Sequence, residues 1–148
     1  MRGKQAKKRE LQKDVIYNDE VVTKFINYVM LDGRKNTARQ AVYDAVEDLA
    51  QRTKMKPMDA MHKSIDNIKP KMEVRSRRVG GSNYQVPSPV RDDRQLYLAL
   101  TWIIDSARGR RKGTTFAKAL SDELFDAYNL TGNAFKKKED AHKMADAN

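Results

Sequence analysis

Apolar residues recur at helical spacing along most of this chain, and the pattern changes once, near the middle, to a stretch that alternates instead. From Asn18 onward, Val21, Val22, Phe25, Ile26, Val29 and Met30 fall on one helical face, with Asn18 as N-cap and Gly33 as the stop after Leu31. Arg34 and Lys35 follow in a short loop. Thr37-x-x-Gln40 has the spacing of a capping box and opens a second helix striped by Ala38, Ala41, Val42, Ala45, Val46 and Leu49. A third helix begins near Pro57, carries Met61, Ile65 and Ile68 inward, and stops before Pro70. The fourth starts near Asp92, with Asp93 in the first turn where the helix dipole favours a carboxylate. Its stripe is Leu96, Ala99, Leu100, Ile103, Ile104 and Ala107, and the loop from Gly109 to Gly113 ends it. A fifth runs from Thr114 or Thr115 to Tyr128, with Phe116, Ala119, Leu120, Leu124 and Ala127 inward, and Gly132 breaks it. The last, about Ala134 to Ala147, is mostly polar.

Between Lys71 and Val90 the period shortens toward two. Gly80-Gly81-Ser82 supplies the positive-φ positions of a tight hairpin turn. The spacing predicts a β-ribbon of Met72 to Arg78 and Asn83 to Val86, ended by Pro87 and Pro89. Alternation turns Arg75 and Arg77 to one side and Arg78 to the other. Tyr84 is either a stacking face for an unpaired base or a cross-strand packing partner. The fold class is therefore mainly α: one bundle of about six helices with a protruding two-stranded ribbon and a basic N-terminal arm. Residues 1–13 form the arm, and residues 14–148 form the helical domain, with the ribbon at about 72–87.

Charge sharpens this picture. The 148 residues include 30 Lys+Arg and 20 Asp+Glu, a net charge of +10. Met1 to Lys13 is net +5, Lys69 to Arg94 net +4, Arg108 to Lys112 net +4 and Lys136 to Lys143 net +2, so everything else is net −5. Such patches repel one another if they converge without a polyanion, and the polyanions a basic soluble chain meets are nucleic acids and anionic membranes. Arginine forks match phosphate oxygens in pairs and lysine acts as a point charge. The candidate contacts are Arg2, Lys4, Lys7, Lys8 and Arg9 in the arm, and Arg75, Arg77 and Arg78 on the ribbon. Arg108, Arg110, Arg111 and Lys112 follow the fourth helix, and Lys136, Lys137, Lys138 and Lys143 lie on the last.

Other functions find less support. There is no cysteine, and of the two histidines His62 lies at the edge of a stripe and His142 in a basic helix. No nucleophile–base pair, metal-ligand spacing or phosphate-loop signature stands beside them, so neither an enzyme nor a cofactor is expected. Asp92 and Asp93 read as helix-start carboxylates. A membrane-surface helix is disfavoured by Asp19, Glu20 and Asp32 on the first helix. The N-terminus lacks the apolar segment of a secretory signal, and Leu96 to Ile104 is too short to span a bilayer, so a cytosolic-type chain is expected. An architectural DNA-binding protein, with a basic ribbon on a helical core, is the alternative that residue chemistry alone leaves open.

The run Glu73-Val74-Arg75-Ser76-Arg77-Arg78-Val79-Gly80-Gly81-Ser82-Asn83-Tyr84-Gln85-Val86-Pro87 resembles the hairpin signature of the ribosomal protein S7 family. Further likenesses are Met30 to Lys35, Leu49 to Arg52, Trp102-Ile103 and Lys136 to Ala145, in order along nearly the whole chain. The resemblance implies a primary binder of small-subunit ribosomal RNA that nucleates folding of the head's major domain. It implies a place at the subunit interface, beside the exit-site tRNA and the mRNA path, with proteins S9 and S11 as neighbours. By position, Lys4, Lys7, Lys8, Arg9, Arg34, Lys35, Arg75, Arg77, Arg78 and Phe116 would approach RNA. The ribbon tip, Val79, Gly80, Gly81, Ser82, Asn83 and Tyr84, would face the exit site. Two departures from the family pattern matter. Arg91-Asp92-Asp93-Arg94 interleaves acids where members carry more base, and Pro89 stands at a commonly acidic position. An aromatic and basic tail would be expected beyond Asn148.

Overall fold

A computed structural model describes residues 3–148. Six helices and one antiparallel hairpin follow one another as α1 (Glu20–Val29), α2 (Lys35–Thr53), α3 (Pro57–Ile68), β1 (Met72–Val79), β2 (Ser82–Pro89), α4 (Asp92–Arg110), α5 (Phe116–Tyr128) and α6 (Asn133–Ala147). The mainly helical class and the single ribbon read from the sequence are both present. The apolar stripes converge on α5, which packs against α2, α3 and α4. Val22, Phe25, Leu49, Met61, Ile65, Leu100, Ile103, Leu120 and Leu124 are all buried there. Each buried aliphatic or aromatic side chain of this kind contributes about 1.5–3 kcal/mol.

The element ends correct several sequence expectations, and each correction has a local cause. Asn18 does not cap α1; it sits at φ +52° in a turn, and Asp19 caps instead. Asp19 Oδ1 accepts from the amides of Val21 (2.8 Å) and Val22 (3.2 Å), while its Oδ2 meets His62 Nε2 of α3 at 2.6 Å. One carboxylate thus starts α1 and fastens α3 to it. α1 stops at Val29, before Leu31 and Gly33. The Thr37–Gln40 box is not a cap, because α2 already begins at Lys35; Gln40 donates one turn onward to Asp44 (2.8 Å). At the end of α4, Gly109 and Arg110 remain helical, so the loop there is shorter than expected. α5 closes at Asn129, and Gly132 instead caps the start of α6.

β2 does not stop at Val86: Pro87 lies inside it, opposite Val74, and the strand runs on to end at Pro89, opposite Met72. The Val90 amide donates to the Lys71 carbonyl (3.0 Å) one register step below Met72–Pro89. That bond makes Lys71–Val90 a hydrogen-bonded pair, so Met72–Pro89 and Val74–Pro87 are the alternating non-bonded pairs. At such positions on a two-stranded ribbon a missing N–H removes no ladder bond. At the other end Gly80 (φ +59°) and Gly81 (φ +83°) form the predicted two-residue turn, both in the left-handed region.

The chain ahead of α1 has neither helix nor strand from residue 3 to residue 14. Asp14 is its first buried residue. It accepts from the amides of Ile16 (3.0 Å) and Tyr17 (2.9 Å) and from the Tyr43 hydroxyl of α2 (2.6 Å). Burial, then this hydrogen bond, push the Tyr43 phenol up to about 12.

At the joint between α5 and α6 the backbone leaves no room for a side chain at Gly132. Gly132 has φ +95° and ψ 175°, a region open almost only to glycine. A β-carbon there would lie 2.8 Å from Asp126 Cβ. Gly132→Ala is therefore expected to destabilise the protein by about 2 kcal/mol or more, read from the urea midpoint. An unchanged midpoint would show that the joint has room to relax.

Candidate nucleic-acid interface

The described basic residues divide into those that the fold engages and those it leaves free. On the ribbon, β1 pairs Arg75 with Val86 and Arg77 with Tyr84 on one face, and Arg78 with Asn83 on the other. All five of these outer positions from Arg75 to Val79 are exposed, and Tyr84 is 56% exposed. The tip from Val79 to Tyr84 stands in solvent, so Tyr84 offers a free ring face alongside Arg77. The base is held differently. Glu73 accepts two bonds from Arg94 Nε of α4 (2.8 and 3.1 Å) and lies 3.6 Å from Arg75 Nε. On the other side α6 packs against both strands, and the Lys71 amide donates to His142 Nε2 (3.0 Å). A two-stranded ribbon is marginal in water by itself; here it is clamped at the root and bare at the tip.

A second group gathers around a cleft of about 500 Å³ between the α1–α2 turn and the α4–α5 turn. Arg34, Arg108, Arg111 and Phe116 meet there over an apolar floor of Val29, Leu31, Ala38 and Ala41. Two segments far apart in sequence, residues 29–41 and 108–116, are thus brought together. Arg108 donates to the carbonyl of Val29 (3.1 Å) and its guanidinium lies 6.0 Å from the Phe116 ring centre. Arg111 donates to the Thr114 carbonyl (3.1 Å), and Thr115 caps α5 by accepting from the Lys118 amide (3.2 Å). Lys35 opens α2 and is exposed, as is Lys112.

Other candidates are turned to structural work. Arg110 donates to buried Glu123 (3.0 Å) and to Asp126 (2.7 Å). Lys138 Nζ donates to the Asn67 carbonyl (2.9 Å) and lies 5.7 Å from the Phe135 ring. Burial, and then the charge of Lys71, hold the Lys138 ammonium below its ordinary range. Lys136, Lys137 and Lys143 on the same helix remain exposed. In the arm, Lys4, Lys7 and Arg9 are exposed, and Lys8 Nζ lies 2.5 Å from Asp93. That bond, foremost, holds the Asp93 carboxyl below its usual range. Arg2 lies outside the described residues.

The sequence reading missed a third cluster: Lys24 and Tyr28 of α1 beside Arg91 and Tyr97 at the start of α4. The available signal was that both tyrosines fall just off the apolar stripes. Among the described residues, no three His, Cys, Asp or Glu side chains group as a metal site, and no helix is long and apolar enough to cross a membrane.

The Glu73–Arg94 clamp has a pH signature. The hydrogen bond from Arg94, chiefly, holds the Glu73 carboxyl below the usual carboxylate range, and burial opposes it only in part. A folded-state value below the unfolded one stabilises above the unfolded value, about 4.3, and that stability is lost as pH falls through the folded one. Glu73→Gln is therefore expected to lower the urea midpoint at pH 7, with the wild-type and variant curves converging below about pH 4. Parallel curves would remove the clamp from the account.

A family model described as "Ribosomal protein S7p/S5e" matches residues 1–148. The "Small ribosomal subunit protein uS7" of Petrotoga mobilis is 54% identical over 148 residues, covering 100% of this chain and 95% of that protein. The protein of the same name from Nautilia profundicola is 53% identical with the same coverage. That of Rhodobacter capsulatus is 50% identical over 143 residues, covering 97% of this chain and 91% of its own. The chain belongs to the ribosomal protein S7 family.

Proposed function

We propose that this chain is a structural constituent of the small ribosomal subunit in the cytoplasmic ribosome, where it binds the ribosomal RNA of the head and nucleates that domain's folding. It catalyses no reaction. The observation that carries the reading is the family match along the whole chain, joined to a clamped ribbon whose outermost arginines, Arg77 and Arg78, have no ion pair among the described residues. Arg77 and Arg78 would grip phosphates in a groove or junction too narrow for a helix. Arg34, Arg111 and Phe116 would receive a second RNA segment in their cleft, with the arginines on phosphate and the ring against a base. Residues 1–13 would act as a separate basic arm that orders on the RNA. The ribbon tip would lie near the exit-site tRNA and the mRNA path, with S9 and S11 as protein neighbours.

Salt dependence tests the electrostatic part. If about 6–10 phosphates are neutralised, affinity for a head-domain transcript falls roughly 10³–10⁵-fold between 50 and 200 mM salt. The transcript should still bind more tightly than duplex DNA or unrelated RNA at physiological ionic strength. Equal binding to all three with one salt slope would favour an architectural DNA-binding role. Combined Arg75→Ala and Arg77→Ala is expected to weaken transcript binding and lower the salt slope by about 2, with helicity by circular dichroism unchanged. Loss of helicity would assign the two arginines to the fold instead.

A further inference from the structure

The third cluster forms a cleft of about 340 Å³ between the outer face of α1 and the first turns of α4. Its floor is aromatic. Tyr28 and Tyr97 meet edge to face, ring centres 5.7 Å apart at 90°, and remain 38% and 45% exposed. Its rim is cationic: Lys8 from the arm, Lys24 from α1, and Arg91 just ahead of α4. One carboxylate, Asp93, stands among them, 2.5 Å from Lys8 and 3.7 Å from Arg91. Lys24 has no ion pair among the described residues.

The apolar stripes of α1 and α4 account for their packing without either tyrosine, since Val22, Phe25, Ile26, Leu100, Ile103 and Ile104 fill the core. Two half-exposed rings inside a ring of cations match an unpaired nucleotide: a flat, sequence-tolerant stacking surface with positive charge where the flanking phosphates pass. The size is that of a site for one small group and not for a helix or a duplex. The cleft also adjoins the ribbon's root, because Arg94 on its wall is the residue that clamps Glu73.

We propose that this cleft captures a single unpaired base of the bound ribosomal RNA, stacked on Tyr28 and Tyr97, with the adjoining phosphates taken by Lys24 and Lys8. Asp93 then acts as a place-holder: it parks Lys8, and so the arm, against the cleft until a phosphate displaces it. The inference rests on the RNA-binding role proposed above and adds to it a specific subsite.

The test uses the full chain and a transcript of the small-subunit head RNA. Tyr28→Leu with Tyr97→Leu is expected to weaken binding roughly 5- to 100-fold, whereas Tyr28→Phe with Tyr97→Phe keeps it within about twofold, because the ring face and not the hydroxyl does the stacking. Lys24→Gln should lower the salt slope by about 1. Ultraviolet crosslinking of the wild-type complex should leave nucleotide adducts on Tyr28 or Tyr97. If the wild-type chain fails to bind the transcript, the proposed function fails and takes this subsite with it. If the wild type binds but the leucine pair binds equally well, the subsite alone is refuted. Should the leucine pair lose helicity, the crosslink decides, and adducts on neither tyrosine refute it. Protection of both rings from nitration by polyglutamate but not by the transcript would likewise overturn it, since the cleft would then serve an acidic protein.

Discussion

The arrangement of the basic surface depends on one buried carboxylate. Glu123 lies within the core on α5 and is fully buried. An isolated charge there would cost several kcal/mol. Both of its oxygens are engaged: Oε2 accepts from Arg110 at the end of α4, and Oε1 from the amide of Ala134 in the first turn of α6. The second bond does for α6 what an N-cap side chain ordinarily does, from a neighbouring helix, and it sets negative charge where the helix dipole is positive. Three helices are thereby fixed at one point. The constraint then propagates. α6 lies against both ribbon strands, His142 on it receives the Lys71 amide, and Lys138 ties it back to the end of α3. The ribbon's direction is inherited from α6, and α6's position from Glu123.

The ribbon shows how exposure and order are reconciled. Its outer strands bury almost nothing, so they gain little from the hydrophobic effect and must borrow order from the root. The left-handed glycine pair fixes the tip, the prolines stiffen β2 without removing ladder bonds, and the Glu73–Arg94 pair anchors β1 to α4. An element built this way reaches a partner already shaped, which lowers the ordering entropy that binding must otherwise overcome.

What the sequence revealed and what it hid divide along the range of the interactions concerned. The apolar stripes, the glycine turn and Pro57 act within a few residues, and they located every helix and the hairpin. The Thr37–Gln40 box had the right spacing but lay inside a helix that begins earlier, since a short motif cannot report where its neighbours start. The prolines misled because their effect depends on pairing parity, which the register sets. The fates of Arg110 and Lys138 were illegible for a stronger reason. Their partners, Glu123 and Asn67, lie 13 and 71 residues away and meet them only once the bundle has closed. Arg34, Arg108, Arg111 and Phe116 were each visible as candidates, yet their convergence on one cleft required the packing of α1 and α2 against α4 and α5. Tyr28 and Tyr97 were hidden in the same way, as two unremarkable residues on separate helices.

The acids interleaved with the basic patches then take on a different meaning from simple dilution. Cations crowded on one face repel one another in the free protein. Arg52 with Asp122, Arg94 with Glu73, and Arg110 with Glu123 and Asp126 answer that repulsion with partners that also join elements of the scaffold. Arg34, Arg77, Arg78 and Lys136 have no ion pair among the described residues and are exposed. The net charge of +10 is consequently a poor guide to the number of phosphates the surface can engage. The exposed cations without a carboxylate partner include Arg77 and Arg78 on the ribbon, Arg34 and Lys35 at the α1–α2 turn, and Lys136, Lys137 and Lys143 on α6. Lys8 and Asp93 fall between the two classes: exposed enough to exchange partners, close enough to pair. An exposed ion pair of that kind contributes little to stability, so little opposes its replacement when a phosphate arrives.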